Sequence, residues 1–221
     1  ERAAALEGGV RVAIGGEKLE RRLAAIELIE RSEDCRLAYL LAAAVRASCP
    51  KTRSRAAAAI HTLTSRVVER DVSPASIRQH AESRKHLATA LVEIVRSWES
   101  HLQPKALEAA LYLPDETVTA VAGKLDEGRS HMAQAINLLF EGTSDWRLAG
   151  FALRSLAIAP LRKAAAGAIQ RATDAAFVRA LARHGHLIAD ADVRKGCAWI
   201  RELRCLEHGL GVFDRLSTPE A

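Results

Sequence analysis

Large rings are scarce in this chain: Phe, Trp and Tyr together make up 4% of 221 residues, and methionine occurs once. That scarcity argues against a core of stacked aromatics. It also argues against the aromatic pocket that an enzyme acting on a flipped nucleobase needs. Catalytic signatures are missing as well. There is no G-x-S-x-G, no phosphate loop and no H-E-x-x-H. Two glycine pairs, Gly8-Gly9 and Gly15-Gly16, do not follow the strand-to-helix pattern of a dinucleotide site. None of Cys35, Cys49, Cys197 and Cys205 forms a C-x-x-C pair, so neither a disulfide framework nor a cysteine zinc site is indicated.

Metal ligands do not converge either. A zinc site needs three or four of them. His80 and His86 fall on different helix faces, His61 and His131 sit inside helices, and His184-Gly185-His186 has no third ligand in register. No metal and no cofactor are expected. No apolar run is long enough to span a bilayer, and no signal peptide is seen. Cys35 and Cys197 lie in apolar stripes, where a reduced cysteine acts as a small hydrophobe. A reducing, cytoplasmic setting without membrane contact is therefore expected. The chain opens at Glu1-Arg2-Ala3 with no Met, which leaves an upstream targeting segment or further domains open.

What the chain has is alanine and helical periodicity. Hydrophobic residues make up 49%, much of it alanine, the best helix former and small enough for close helix approach. Charge is mixed: 32 basic residues against 27 acidic ones, a net of +5 with both signs interspersed, as on an ordinary surface. Residues 1–16 read as a flexible lead-in or linker, because a short alternating run between two Gly pairs has no strand partner. Leu19, Leu23, Ile26 and Ile29 then form a helical stripe over 17–31. Ser32 stands as N-cap of a helix over 34–48, and a third helix spans 52–70 with Ala56, Ala59, Ile60, Leu63 and Val67 inward. Ser73-Pro74 restarts the chain, and one long helix to Ser100 is expected, polar first and apolar later. Pro104 opens a helix over 104–112.

From there the pattern repeats. Pro114–Gly142, Thr143–Ala172 and Thr173–Leu203 each hold two apolar-periodic segments around a turn, with helical starts near Asp115, Arg129, Asp145, Pro160, Thr173 and Asp192. Self-similarity at roughly 30 residues marks a stacked helical architecture.

The run Asp190 to Leu203, with Asp192-Val193-Arg194-Lys195-Gly196-Cys197-Ala198-Trp199-Ile200 at its centre, resembles the helix signature of the HEAT-repeat (armadillo-type) family. An acidic turn leads into a Val-Arg pair, then small residues, then a large aliphatic. Ala159–Ile169, Ser144–Gly150 and Glu33–Ala38 are similar. The resemblance covers 31–65 and 114–206, while 73–112 departs from it. It implies an all-α fold, a right-handed superhelix of antiparallel helix pairs over 17–206, with an irregular middle at 73–112 and a tail at 207–221. Families of this kind include protein-binding scaffolds, DNA-base glycosylases and bilin lyases of phycobiliproteins, and fold does not choose among them.

The expected function is a non-enzymatic scaffold that binds another protein through its repeat surface. The candidate binding residues are Arg129, Arg162, Lys163, Arg194 and Lys195, which begin the second helices of the last three repeats. Stacked in parallel, those helices would line the cations along one edge; a solvated flank, or pairing with capping acids such as Asp192, is the simpler explanation of them. Two alternatives stay open: a nucleic-acid-binding or base-repair protein, and a lyase or chaperone for a chromophore protein. Asp145-Trp146 is the pairing that suggests a base-excision site, but Asp145 is explained as a helix cap.

Overall fold

The structure is a computed structural model and describes residues 2–71, 73–99, 103–142, 145–172, 174–185, 187 and 193. Among the described residues every regular element is helical and no strand occurs. No helix among them is long and apolar enough to cross a membrane. The chain divides into two compact units, Glu1–Lys124 and Leu125–Ala221, within the stretch that the repeat pattern assigns to one body.

The first unit begins with a correction. Residues expected as a lead-in form helix α1 (Arg2–Gly15), which packs on the next helix, α2 (Leu19–Ser32), with Val10 buried. Its glycines cost helix propensity. Tertiary contact offsets that cost: the Arg11 guanidinium lies over the ring of Tyr39, 5.7 Å from the centroid, and the Tyr39 hydroxyl donates to Glu7 Oε1 at 2.7 Å. Helix α2 does not end where a cap was expected. Ser32 is its last residue, and the Ser32 hydroxyl donates to Ile29 O rather than capping a new helix. Glu33 takes a left-handed turn, φ 53°, without being glycine. Its carboxylate is held by Arg66 at 3.0 Å and Arg70 at 2.7 Å, contacts that offset the strain.

Asp34 is the true cap. Its carboxylate accepts from Arg36 N and opens a 3-10 turn, Cys35–Leu37, that runs into α3 (Ala38–Val45). Next comes α4 (Pro50–Arg70), the longest helix described, with proline at its first position. The expected inward residues are buried: Ala56, Ala59 and Ile60 have no exposure at all, and Leu63 and Val67 almost none. Burying side chains such as Ile60 and Leu63 stabilises by about 1.5–3 kcal/mol each. Because Ala56 and Ala59 are small, neighbouring helices come close, and α4 packs against α2, α3, α6 and α7.

The single long helix expected after Ser73 is broken. A short helix, α5 (Pro74–Gln79), opens with a capping box between Ser73 and Ser76, and α6 (Ala81–Arg96) follows after one non-helical residue, His80. The break has a visible cause: His80 turns its ring to Asp71, with Nδ1 3.2 Å from Oδ1. Helices α7 (Pro104–Leu111) and α8 (Pro114–Asp126) complete the unit. Contacts fix the directions. Glu33 meets Arg70, and Arg22 faces Cys49, so α2 and α4 run parallel. Arg46 meets Glu93, and Asp34 feels His86, so α3 and α6 run parallel to each other. The short link between α3 and α4 makes those two antiparallel.

The second unit holds α9 (Ser130–Gly142), α10 (Ala149–Ser155), α11 (Arg162–Arg171) and α12 (Ala175–Arg183). Gly128, at φ 78°, makes the turn into α9, a conformation open to glycine. Helix α9 packs on α11, and α10 packs on α11 and α12. Phe140 and Phe151 meet in this core with centroids 6.3 Å apart. The start of α10 copies the start of α3. Asp145 accepts from Arg147 N at 3.0 Å and holds the Arg147 guanidinium at 2.7 Å, ahead of a 3-10 turn, Trp146–Leu148. At Asp34 and Arg36 the same two distances are 3.1 Å and 2.7 Å.

Candidate functional site

Of the five expected binding residues, Arg129, Arg162 and Lys163 are described and all three are exposed. Arg129 lies just before α9, while Arg162 and Lys163 open α11. Arg194 and Lys195 lie outside the described residues, as do Trp199, Cys197, Cys205, His186 and the tail 207–221. Arg162 already has a structural task, because its Nε donates to Leu156 O at 2.7 Å and satisfies a carbonyl at the end of α10. Lys163 and Arg129 are the cations better placed for a partner.

The same unit exposes one large apolar side chain. Leu138 on α9 is 67% exposed, although Met132, Ile136 and Phe140 on the same helix are buried. Asn137, beside it, donates through Nδ2 to Pro160 O at 3.4 Å. That bond brings the middle of α9 to the turn leading into Arg162 and Lys163. Over 125–185 the chain carries eight Arg or Lys residues and five Asp or Glu. An exposed leucine and exposed cations in one unit suit a partner that offers both apolar and acidic groups.

Asp145 and Trp146 do not form a base-excision pair. The Asp145 carboxylate is bound to Arg147 as described, and the Trp146 ring lies under Arg183, 5.5 Å from the guanidinium carbon. Trp98 is buried in the first unit.

Two polar groupings in the first unit escape a reading of the sequence alone. In one, Arg84 on α6 is gripped by two carboxylates: Nη1 reaches Asp71 Oδ2 at 3.0 Å, and Nε reaches Glu116 Oε1 at 2.5 Å. Asp71 also receives the His80 ring, and its side chain is only 4% exposed. Burial would lower the Arg84 pKa, but the hydrogen bonds and charges of Glu116 and Asp71 outweigh it and raise it, so Arg84 stays charged. The cluster ties the C-terminal end of α4 to the starts of α6 and α8. In the other, His61 Nε2 on α4 lies 3.2 Å from Tyr112 Oη and 3.3 Å from Glu108 Oε2, and Tyr112 donates to Glu108 at 3.0 Å. Each grouping joins residues far apart in sequence. A lone histidine inside a helical stripe is the trace that the second leaves there.

Among the described residues, no group of three or more His, Cys, Asp or Glu is arranged to hold a metal ion. No protein-family model matches the chain, and neither a curated protein nor a solved structure matches it.

Proposed function

We propose that this chain is a helical-repeat scaffold that binds an acidic partner protein through exposed residues of the second unit, Leu138, Lys163, Arg162 and Arg129 among them. The observation that carries the reading is the 67% exposure of Leu138 on a helix whose residues Met132, Ile136 and Phe140 are buried. Single exposed leucines are ordinary; this one belongs to a unit in which Arg129, Arg162 and Lys163 are exposed too. Supporting the wider architecture, a HEAT-like superhelix of antiparallel pairs, are the parallel runs of α2 with α4 and of α3 with α6. The duplicated Asp-x-Arg turn at Asp34 and Asp145 supports it too. A cytoplasmic setting belongs to the same reading, since Cys35 and Cys49 are both free thiols.

The test compares wild-type protein with Leu138→Asp and Lys163→Glu in affinity capture, followed by direct titration of the captured partner. Loss of binding at an unchanged melting temperature is expected. Equal affinity in both variants removes this surface from consideration. The alternative, a nucleic-acid partner, is read in the same series by gel shift on duplex DNA at rising salt. Phosphate contacts would make affinity fall steeply with ionic strength.

A further inference from the structure

The chain from Pro74 to Arg96 carries no glycine and no proline after its first residue, so local preference favours one uninterrupted helix. It is interrupted at a single residue. His80, with φ −97° and ψ 9°, closes α5 and opens α6, and its ψ departs most from the helical value of about −42°. The bonds that flank the break are intact. His80 N–H donates to Ser76 O at 3.0 Å, and Arg84 N–H donates to His80 O at 2.9 Å. Between them, the N–H groups of Ala81, Glu82 and Ser83 reach no backbone carbonyl among the described residues. In a continuous helix they would close on Ile77, Arg78 and Gln79. No side chain caps the start of α6 in their place.

One carboxylate offsets what the backbone gives up. Asp71, the C-cap of α4, meets the His80 ring at 3.2 Å and the Arg84 guanidinium at 3.0 Å, so it grips the residues on both sides of the unbonded stretch. Its side chain is nearly buried, and hydrogen bonds there are strong. Helix α5 is self-contained. Ser73 and Ser76 cap each other, and Ile77 N–H closes on Ser73 O at 3.0 Å. It packs chiefly on α6, and Ala75, Ile77, Arg78 and Gln79 are all exposed. Burial therefore does little to fix its direction.

We propose that His80 is a hinge and Asp71 its latch: α5 is a movable arm, bent while Asp71 grips His80 and joined to α6 as one helix when that contact opens. The two forms exchange one set of hydrogen bonds for another, and the rotation that connects them falls on one residue between two helices. Arg84 stays on α6 in both forms and keeps its bonds to Glu116. Ser73 follows Asp71 by two positions, about 7 Å at full stretch, so the swing of the arm draws on the last turn of α4. That turn carries Arg70, which holds the carboxylate of Glu33 at its left-handed position. The latch thus couples the α5 arm to the turn that follows α2. A partner that binds the joined form better shifts the balance toward it.

The experiment is amide hydrogen exchange on the full chain, read residue by residue by NMR, in wild type, Asp71→Asn and His80→Ala. In wild type, Ala81, Glu82 and Ser83 should exchange near the unstructured rate while Ile77 and His80 are protected. Asp71→Asn leaves the sequence of the arm unchanged, so helix propensity cannot account for its effect. His80→Ala keeps the Asp71–Arg84 pair, and with it the fold of the unit. In each, protection at Ala81, Glu82 and Ser83 should rise at least about tenfold, with Ile77 still protected. Gln79→Ala, which raises helix propensity and leaves the latch closed, should leave the three amides unprotected. Absence of the rise in either latch variant overturns the proposal. So does a loss of protection at Ile77, which means that α5 melts instead of joining α6, and so does an equal rise in Gln79→Ala.

Discussion

Removing the carboxylate of Asp71 should destabilise the first unit more than any single surface change. Asp71 is 4% exposed at its side chain and Arg84 17%, so solvent screens the pair little. Breaking a buried pair by deleting one partner costs about 3–5 kcal/mol, chiefly because the other charge is left uncompensated. Here the loss is smaller, since Glu116 still holds Arg84 Nε at 2.5 Å. For Asp71→Ala this leaves roughly 2–3 kcal/mol, with the freed His80 ring included. At about 2–4 °C per kcal/mol for a chain of this size, the melting temperature should drop by roughly 5–10 °C. Arg84→Met keeps the apolar stem but leaves two carboxylates facing each other, and it should cost more, about 3–5 kcal/mol. Differential scanning calorimetry, with urea titration as a second measure, reads both. Replacing the three charged groups together by Leu, Met and Leu should recover most of the loss, because no buried charge is then stranded. A drop under about 2 °C for both single variants would refute the reasoning, because the penalty for stranding a buried charge would then be absent.

Helix capping gives a second test: Asp34→Ala and Asp145→Ala should each cost about 1 kcal/mol, and the two should add, since they act in separate units. Phe140→Ala should cost about 3–5 kcal/mol by opening a cavity against Phe151, measurable by urea denaturation. Acid should destabilise the first unit. Burial alone would raise Glu30, but hydrogen bonds from Arg55 and Thr62 set it below its ordinary value; Arg70 chiefly lowers Glu33, and Arg36 chiefly lowers Asp34. Carboxylates depressed on folding contribute stability above their unfolded values, near ~4, and lose it as pH falls through the lower folded values. Melting temperature recorded downward from about pH 5 should therefore fall, and the fall should shrink in Glu30→Gln. A flat profile would contradict the ion pairs.

Much of the helical pattern is legible because local chemistry writes it. The stripe of α4 appears as Ala56, Ala59, Ile60 and Leu63, and the restarts at Ser73-Pro74 and Pro104 are marked by residues that cannot sit mid-helix cheaply. The twin turns at Asp34 and Asp145 are visible as related segments, since an aspartate and an arginine two residues on close the same local hydrogen bonds wherever they occur. Three readings fail where a distant partner decides. Residues 2–15 read as a linker because glycine is a poor helix former, yet Val10 and Arg11 find α2 and Tyr39. The long helix after Ser73 breaks because His80 is drawn to Asp71. Ser32 reads as a cap, but Glu33 turns left-handed under the grip of Arg66 and Arg70.

By itself the order of residues determined an alanine-rich chain that is helical throughout its described elements, most of its helix starts, and the apolar faces of α2, α4 and α6. Those depend on spacing and on contacts within a turn or two. Only the tertiary structure decided that Arg84 sits between Asp71 and Glu116, that His61 meets Tyr112 and Glu108, and that Leu138 stays exposed while Ile136 is buried. Each depends on which helices become neighbours, and burial, unlike periodicity, is a property of the neighbour as much as of the residue.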